Sequence, residues 1–213
     1  LVCYMDLEGV NDTVMERNWS VSQMVFLVGI GLVCPRTHQW IYVPLFTDDL
    51  DHSQEPRLAQ RLDHQVNFWL KKYKKRRAVV YHWGNIERSE CKRMGALTRH
   101  TLYDMGAFFR KNRWVFRNTF GFGLKEISRA LVEHGEVQST HAWNAQNGDI
   151  CDGMTAMVAL VDAYQKNTNP HARLGDLGIL KDIIAYNQID CRMLEQIVRF
   201  VSRYLKTRPT VSG

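Results

Sequence analysis

The sequence predicts one α/β domain, a central mixed β-sheet flanked by helices with the first strand in the middle. Three observations predict it. Strand-like apolar runs fill residues 1–46, a 3.6-residue helical period follows over 55–73, and a buried-strand run at 78–82 precedes a series of helical segments. With 213 residues, 45% hydrophobic and 23% charged, the chain has a globular composition. A chain of this size buries roughly 70% of its unfolded surface, so wholesale disorder is excluded. No apolar run approaches the roughly 20 residues of a membrane span.

Residues 1–7 (LVCYMDL) form a short strand ending in an acidic cluster, and a polar stretch follows to about residue 20. Residues 23–33 (QMVFLVGIGLV) are continuously apolar, and 39–46 (QWIYVPLF) supply a third strand, completing a meander. Pro44 has no amide N–H, so that strand is expected at a sheet edge or bent there. Leu58, Leu62, Val66, Trp69 and Leu70 then share one helical face between Glu55 and Tyr73. Residues 78–82 (AVVYH) return to a strand. Helices are expected at about 86–98, 104–111, 124–134, 153–166 and 178–205, with Gly121, Gly123 and Pro170 punctuating the connections. Residues 137–152 and 167–177 read as loops. One domain spans 1–206, with a tail over 207–213.

The 28 Lys and Arg residues outnumber 22 Asp and Glu, giving a net charge of +6. Lys71, Lys72, Lys74, Lys75, Arg76 and Arg77 place six of those cations in seven residues, and without them the chain is neutral. A local patch of this kind favours phosphate contact. It also suits the solvated C-terminus of a helix, and both readings stand. The five cysteines (Cys3, Cys34, Cys91, Cys151, Cys191) are odd in number and scattered, with no zinc spacing. They point to a reducing compartment, cytoplasmic or nuclear, and no secretory signal is visible. The abrupt start on a strand suggests a preceding segment or domain.

Three carboxylate groupings carry chemistry in this pattern. Asp6 and Glu8 lie two apart at the end of the first strand, so period two puts both on one side. Two anions in a poorly solvated place call for a positive partner, and Mg²⁺ or Mn²⁺ prefers oxygen ligands. A solvated strand-to-loop junction is the alternative. Tyr186 and Asp190 are four apart on the last helix, with Asp190 bordering an apolar face of Ile183, Ile184, Ile189, Met193, Leu194, Ile197 and Val198. An anchored tyrosine beside a solvated aspartate would look the same. His82, Asn85 and Glu87 follow the fourth strand. If that strand is parallel to the first, it delivers them to the edge where Asp6 and Glu8 emerge. An acid early in a helix is also common without a site.

Together, strand-DxE, three strands then a helix, strand-H-x-x-N-x-E and a late helical YNxxD resemble the ribonuclease-H-like DEDD exonuclease superfamily. The nearest likeness is to its YprB-like branch, the predicted RecB-family nucleases. The resemblance covers roughly residues 2–202. It includes Leu102-Tyr103-Asp104-Met105, the helix start Gly123-Leu124-Lys125-Glu126-Ile127, and Asp152-Gly153 before the helix containing Ala156. It implies a ribonuclease-H-like fold in which Asp6, Glu8, Glu87 and Asp190 are metal ligands and Tyr186 orients the attacking water. The histidine variant of the superfamily has its base five residues before the last aspartate. Ala185 stands there, so the tyrosine variant fits. Glu87 departs from the usual aspartate, and Asp104 is the reserve ligand, expected to line the site edge or cap its helix.

The resemblance further implies two Mg²⁺ or Mn²⁺ ions about 4 Å apart and in-line hydrolysis from a 3′ end, releasing nucleoside 5′-monophosphates. A structure-specific endonuclease and a binding module without catalysis are the alternatives. The partner expected is nucleic acid with a single-stranded 3′ end, DNA or RNA, with no membrane and with a helicase or other processing domain nearby. Substrate contacts are expected from His82, Asn85, Lys125, the 71–77 run and Arg113. Phe108, Phe109, Trp114 and Phe116 interleave with Arg110, Lys111, Arg113 and Arg117, which suits base stacking and core packing equally. His134 and His141 lack partners for a zinc site.

Overall fold

The computed structural model describes residues 1–11, 23–117, 119–137, 153–169 and 171–207. Five strands, β1 (Val2–Asn11), β2 (Gln23–Val33), β3 (Trp40–Phe46), β4 (Val79–His82) and β5 (Thr101–Asp104), form one mixed sheet in the order β3-β2-β1-β4-β5. β1 is the middle strand, antiparallel to β2 and parallel to β4. The helices among the described residues are α1 (Glu55–Lys72), α2 (Ile86–Met94), α3 (Met105–Lys111), α4 (Leu124–Glu133), α5 (Gly153–Lys166) and α6 (Gly178–Thr207).

The alternation of β1 sorts its side chains between two cores. Cys3 and Met5 pack with Leu58, Leu62, Val66 and Trp69 of α1. Tyr4 packs with Met193, Leu194 and Ile197 of α6, and Val10 with Ala156 and Leu160 of α5. Period two therefore places Asp6 and Glu8 on the face covered by α5 and α6. Covering both faces explains why β2 is apolar along its whole length instead of alternating. Pro44 lies on edge strand β3, opposite Gly29 of β2, as a residue without an amide N–H requires.

Several boundaries differ from the sequence expectation. β1 runs on to Asn11 because β2 pairs with it as far as Asn11 opposite Gln23, with a register shift between Glu8 and Gly9. The acidic pair thus sits within a paired strand, beside a bulge. β5 is an unexpected fifth strand. Its four half-exposed residues are too few to set a period, and parallel pairing with β4 creates it. α2 ends at Met94 because Gly95 turns left-handed (φ 71°) and its N–H closes the helix on Cys91 and Lys92 carbonyls. Cys3, Cys34, Cys91 and Cys191 are free and buried. Cys151, His141, Asp152 and residues 208–213 lie outside the described residues, as do 12–22. No helix among the described residues is long and apolar enough to cross a membrane.

Candidate metal centre

α6 crosses the face of β1 that carries Asp6 and Glu8, and brings Asp190 against them. One carboxylate oxygen from each of Asp6, Glu8 and Asp190 lies within 4.8 Å of the other two. Glu8 and Asp190 are each only 6% exposed. Burial, followed by the charges of Glu8, Asp190 and Glu87, pushes the Asp6 carboxyl well above its ordinary range. Burial and the charge of Asp190 push Glu8 up to about 8, against opposing help from Asn187, Asp6 and Lys125. Three acids held this way are short of positive charge.

Tyr186 stands one turn before Asp190 on α6, close enough for that carboxylate to act on its hydroxyl. Burial and the charges of Asp190, Glu8 and Asp6 raise the phenol far above its ordinary value, so it stays protonated and donates. Lys125, at the start of α4, holds its Nζ 4.7 Å from the centre of the Tyr186 ring. α5 begins beside the acids: a Cβ at Gly153 would stand 3.7 Å from Glu8 Oε2.

Asn187 is a site residue that motif reading overlooks. It is fully buried. Its Nδ2 donates to Asp6 Oδ2 at 2.7 Å and to Glu8 Oε1 at 3.3 Å, while its Oδ1 accepts from the Tyr42 hydroxyl at 2.9 Å. The amide therefore clamps both β1 carboxylates, and β3 fixes the amide. Gly29 makes the space, since a Cβ there would fall 1.6 Å from Asn187 Oδ1. The signal in the sequence is position: Asn187 follows Ile183 by four and precedes Leu194 by seven, so it falls on the buried stripe of the helix. A buried amide needs partners.

The other predicted residues separate into near and far groups. Glu87 is buried in the first turn of α2, close enough for its charge to act on Asp6, but outside the three-carboxylate cluster. His82 is fully buried behind it, with Nδ1 at 3.6 Å from Glu87 Oε2. Neither ring nitrogen has a hydrogen-bond partner among the described residues. Asn85 is exposed at the N-cap of α2, where its carbonyl accepts from Ser89 Oγ. Asp104 caps α3: its Oδ1 accepts from Ala107 N and from Gly84 N, both at 2.9 Å, tying β5 to the loop after β4.

The aromatic interleaving resolves toward packing. Phe109 is fully buried, and Trp114 lies against Phe200 and Tyr204 of α6, while Arg110, Lys111, Arg113 and Arg117 remain exposed around them. The 71–77 run ends α1 and leads into β4 at the opposite end of the sheet. There Val79 N bonds to Leu1 O, and Val2 pairs with Val79. The structure does not bring this run to the acids.

The fold and the acids define a class by geometry alone: an α/β protein with a buried, all-oxygen acidic centre beneath its longest helix. The chain matches no protein-family model and no curated protein. The donor set suits a hard divalent cation, because three carboxylates pressed together, with Asp6 and Glu8 raised in pKa, lose their mutual repulsion when one binds. Asp6, Glu8 and Asp190 are the residues that could hold it.

Proposed function

We propose that this protein is a divalent-metal-dependent nuclease of ribonuclease-H-like fold that hydrolyses phosphodiester bonds from a 3′ end. The observation that carries the reading is the meeting of Asp6, Glu8 and Asp190, with Tyr186 one helical turn before the last of them and beside its carboxylate. These are four of the five residues the DEDD resemblance assigns, contributed by β1 and α6; Glu87, the fifth, stands outside the cluster. The order β3-β2-β1-β4-β5, with β1 central and parallel to β4, supports the same reading. Asp6, Glu8 and Asp190, with Glu87 on the flank, would hold Mg²⁺ or Mn²⁺, which when bound would supply Lewis-acid charge and lower the pKa of the attacking water.

The chain's own residues do the rest. Asn187 holds Asp6 and Glu8 in place, with its own amide fixed by Tyr42, so the ligand oxygens need little reorganisation. Tyr186 is a protonated donor and positions the attacking water; its raised pKa makes it unsuited to act as the base. Lys125 places positive charge at the rim, where the phosphate of the scissile bond enters. Water oxygen bonds to phosphorus, the bond to the 3′ oxygen breaks, and that oxygen takes a proton. The products are a nucleoside 5′-monophosphate and a strand shorter by one residue.

The test is cleavage of 5′-labelled single-stranded DNA and RNA with Mg²⁺ or Mn²⁺, each with free and blocked 3′ ends, beside Asp190→Asn protein. A ladder that shortens from the free 3′ end and is absent in the variant is the expected result. Cutting despite a blocked end would replace exonuclease by endonuclease. Binding without cleavage under either metal would overturn the enzyme reading.

A further inference from the structure

We propose that the pole of the domain opposite the metal centre is a second nucleic-acid contact, an anchor for phosphates far from the strand end being cut. Lys71, Lys72, Lys74, Lys75, Arg76 and Arg77 are all exposed there. Arg36, from the turn between β2 and β3, joins them by bonding to Lys72 O at 3.3 Å. Among the described residues none of these seven cations is ion-paired with a carboxylate. Lys74 adopts a left-handed turn (φ 52°), so the run wraps around the end of α1 instead of continuing along it.

Position separates this surface from the acids twice over. The run enters β4 where β1 begins, and Asp6 lies four residues further along β1, about 13 Å at a rise of ~3.3 Å per residue. α1 also covers the Cys3–Met5 face of β1, whereas the carboxylates open on the other. A strand end in the metal centre therefore reaches the patch only by running around the sheet. Unpaired cations on a surface of this kind release counterions when they meet phosphates, whatever the base sequence. A membrane surface fits poorly, because Phe68 and Val2 are the large apolar side chains exposed beside the run among the described residues, and Lys72 already lies over the Phe68 ring. That the anchored molecule is the substrate strand rests on the nuclease reading; that the patch binds a polyanionic strand does not.

The experiment is fluorescence anisotropy in EDTA, which removes cleavage, with 5- and 30-residue single-stranded oligonucleotides. Wild type is compared with a variant carrying Lys74→Gln, Lys75→Gln, Arg76→Gln and Arg77→Gln. Wild type should bind the longer strand with a steep salt dependence. The fourfold variant should bind at least tenfold more weakly, with a log K against log salt slope shallower by about 3, from ~0.7 per lost phosphate contact. The shorter strand should show little difference between proteins. An unchanged melting temperature and Mn²⁺ affinity verify that the variant is folded. Equal affinity and slope for wild type and the fourfold variant would overturn the anchor. So would loss of binding to anionic lipid vesicles with oligonucleotide binding intact. Absence of cleavage by wild type under Mg²⁺ or Mn²⁺, with the difference in salt slope between wild type and the fourfold variant present in EDTA, would instead sink the nuclease reading and leave the anchor standing.

Discussion

Two of the places where this domain buries carboxylates treat them oppositely. Glu55, at the start of α1, is 3% exposed. Arg93 of α2 grips it with two bonds, 2.8 and 2.5 Å, while His52 and the amide of Val25 each approach to 2.8 Å. Burial alone would raise its pKa, yet these partners outweigh burial and hold the carboxyl below its ordinary range. Asp6 and Glu8 experience the reverse: burial raises both, the charge of Glu8 adds to the rise of Asp6 and that of Asp190 to the rise of each, and one neutral amide clamps the pair. A buried acid whose charge is fully answered by the fold is structural. Acids gathered with their charge unanswered could hold a cation.

The largest expected effect lies on the answered side. Arg93→Met leaves Glu55 buried without its guanidinium and should lower stability by about 3 kcal/mol. For a domain of this size the melting temperature should fall by about 6–12 °C. Mn²⁺ affinity, measured by calorimetry on the same protein, should not move. A loss of metal binding with stability intact would mean that the two clusters are coupled and that the contrast is wrong.

The unanswered side should show itself next, in pH dependence. Glu8 shifts from an ordinary 4.5 to about 8 in the fold, so between those values the folded protein binds more protons than the unfolded chain. Stability of the metal-free protein therefore falls as pH rises from 4.5 to 8, by about 1 kcal/mol per pH unit for each retained proton. Asp6→Asn should flatten that slope and raise the melting temperature at pH 8, while Mn²⁺ should stabilise wild type there and not at pH 5. A metal-free protein whose stability climbs from pH 5 to 8 would show that the acids are already compensated.

The strand-helix order, the central position of β1, the edge position of the Pro44 strand and the helix over 153–166 were all legible, because each rests on periodicity within one segment or on one residue's chemistry. β5 was not, since it exists only through pairing with β4. At the site, Asp6 and Glu8 were legible from period two and Asp190 with Tyr186 from helical spacing. Asn187 sat between those two residues and was passed over, because its role comes from Gly29 and Tyr42 on two other strands. The basic run was read from composition alone, and composition carries no direction. Only the parallel pairing of β1 with β4 places it at the far pole.

Asn187 gives the third test. Asn187→Ala removes the clamp but leaves every carboxylate, so Mn²⁺ affinity should fall by about 10–100-fold, the range for residues that orient metal ligands. Gly29→Ala should reproduce this without touching the amide chemically, because its Cβ would occupy the place of Asn187 Oδ1. Steady calorimetric affinity in both variants would show that the carboxylates hold their own geometry.

Lys125 should give the smallest effect, and its sign is informative. Its charge lowers the Glu8 pKa and sits over the Tyr186 ring. It repels a metal cation and attracts a phosphate. Lys125→Met should therefore tighten Mn²⁺ binding a few-fold, on the order of 1 kcal/mol or less, while weakening strand binding at the same site by a similar factor. Both changes should shrink as salt rises, because the interaction is between charges near the surface. If metal and strand affinity instead fall together and ignore salt, Lys125 acts by packing on Tyr186, and the positive charge at the rim has no part in the chemistry.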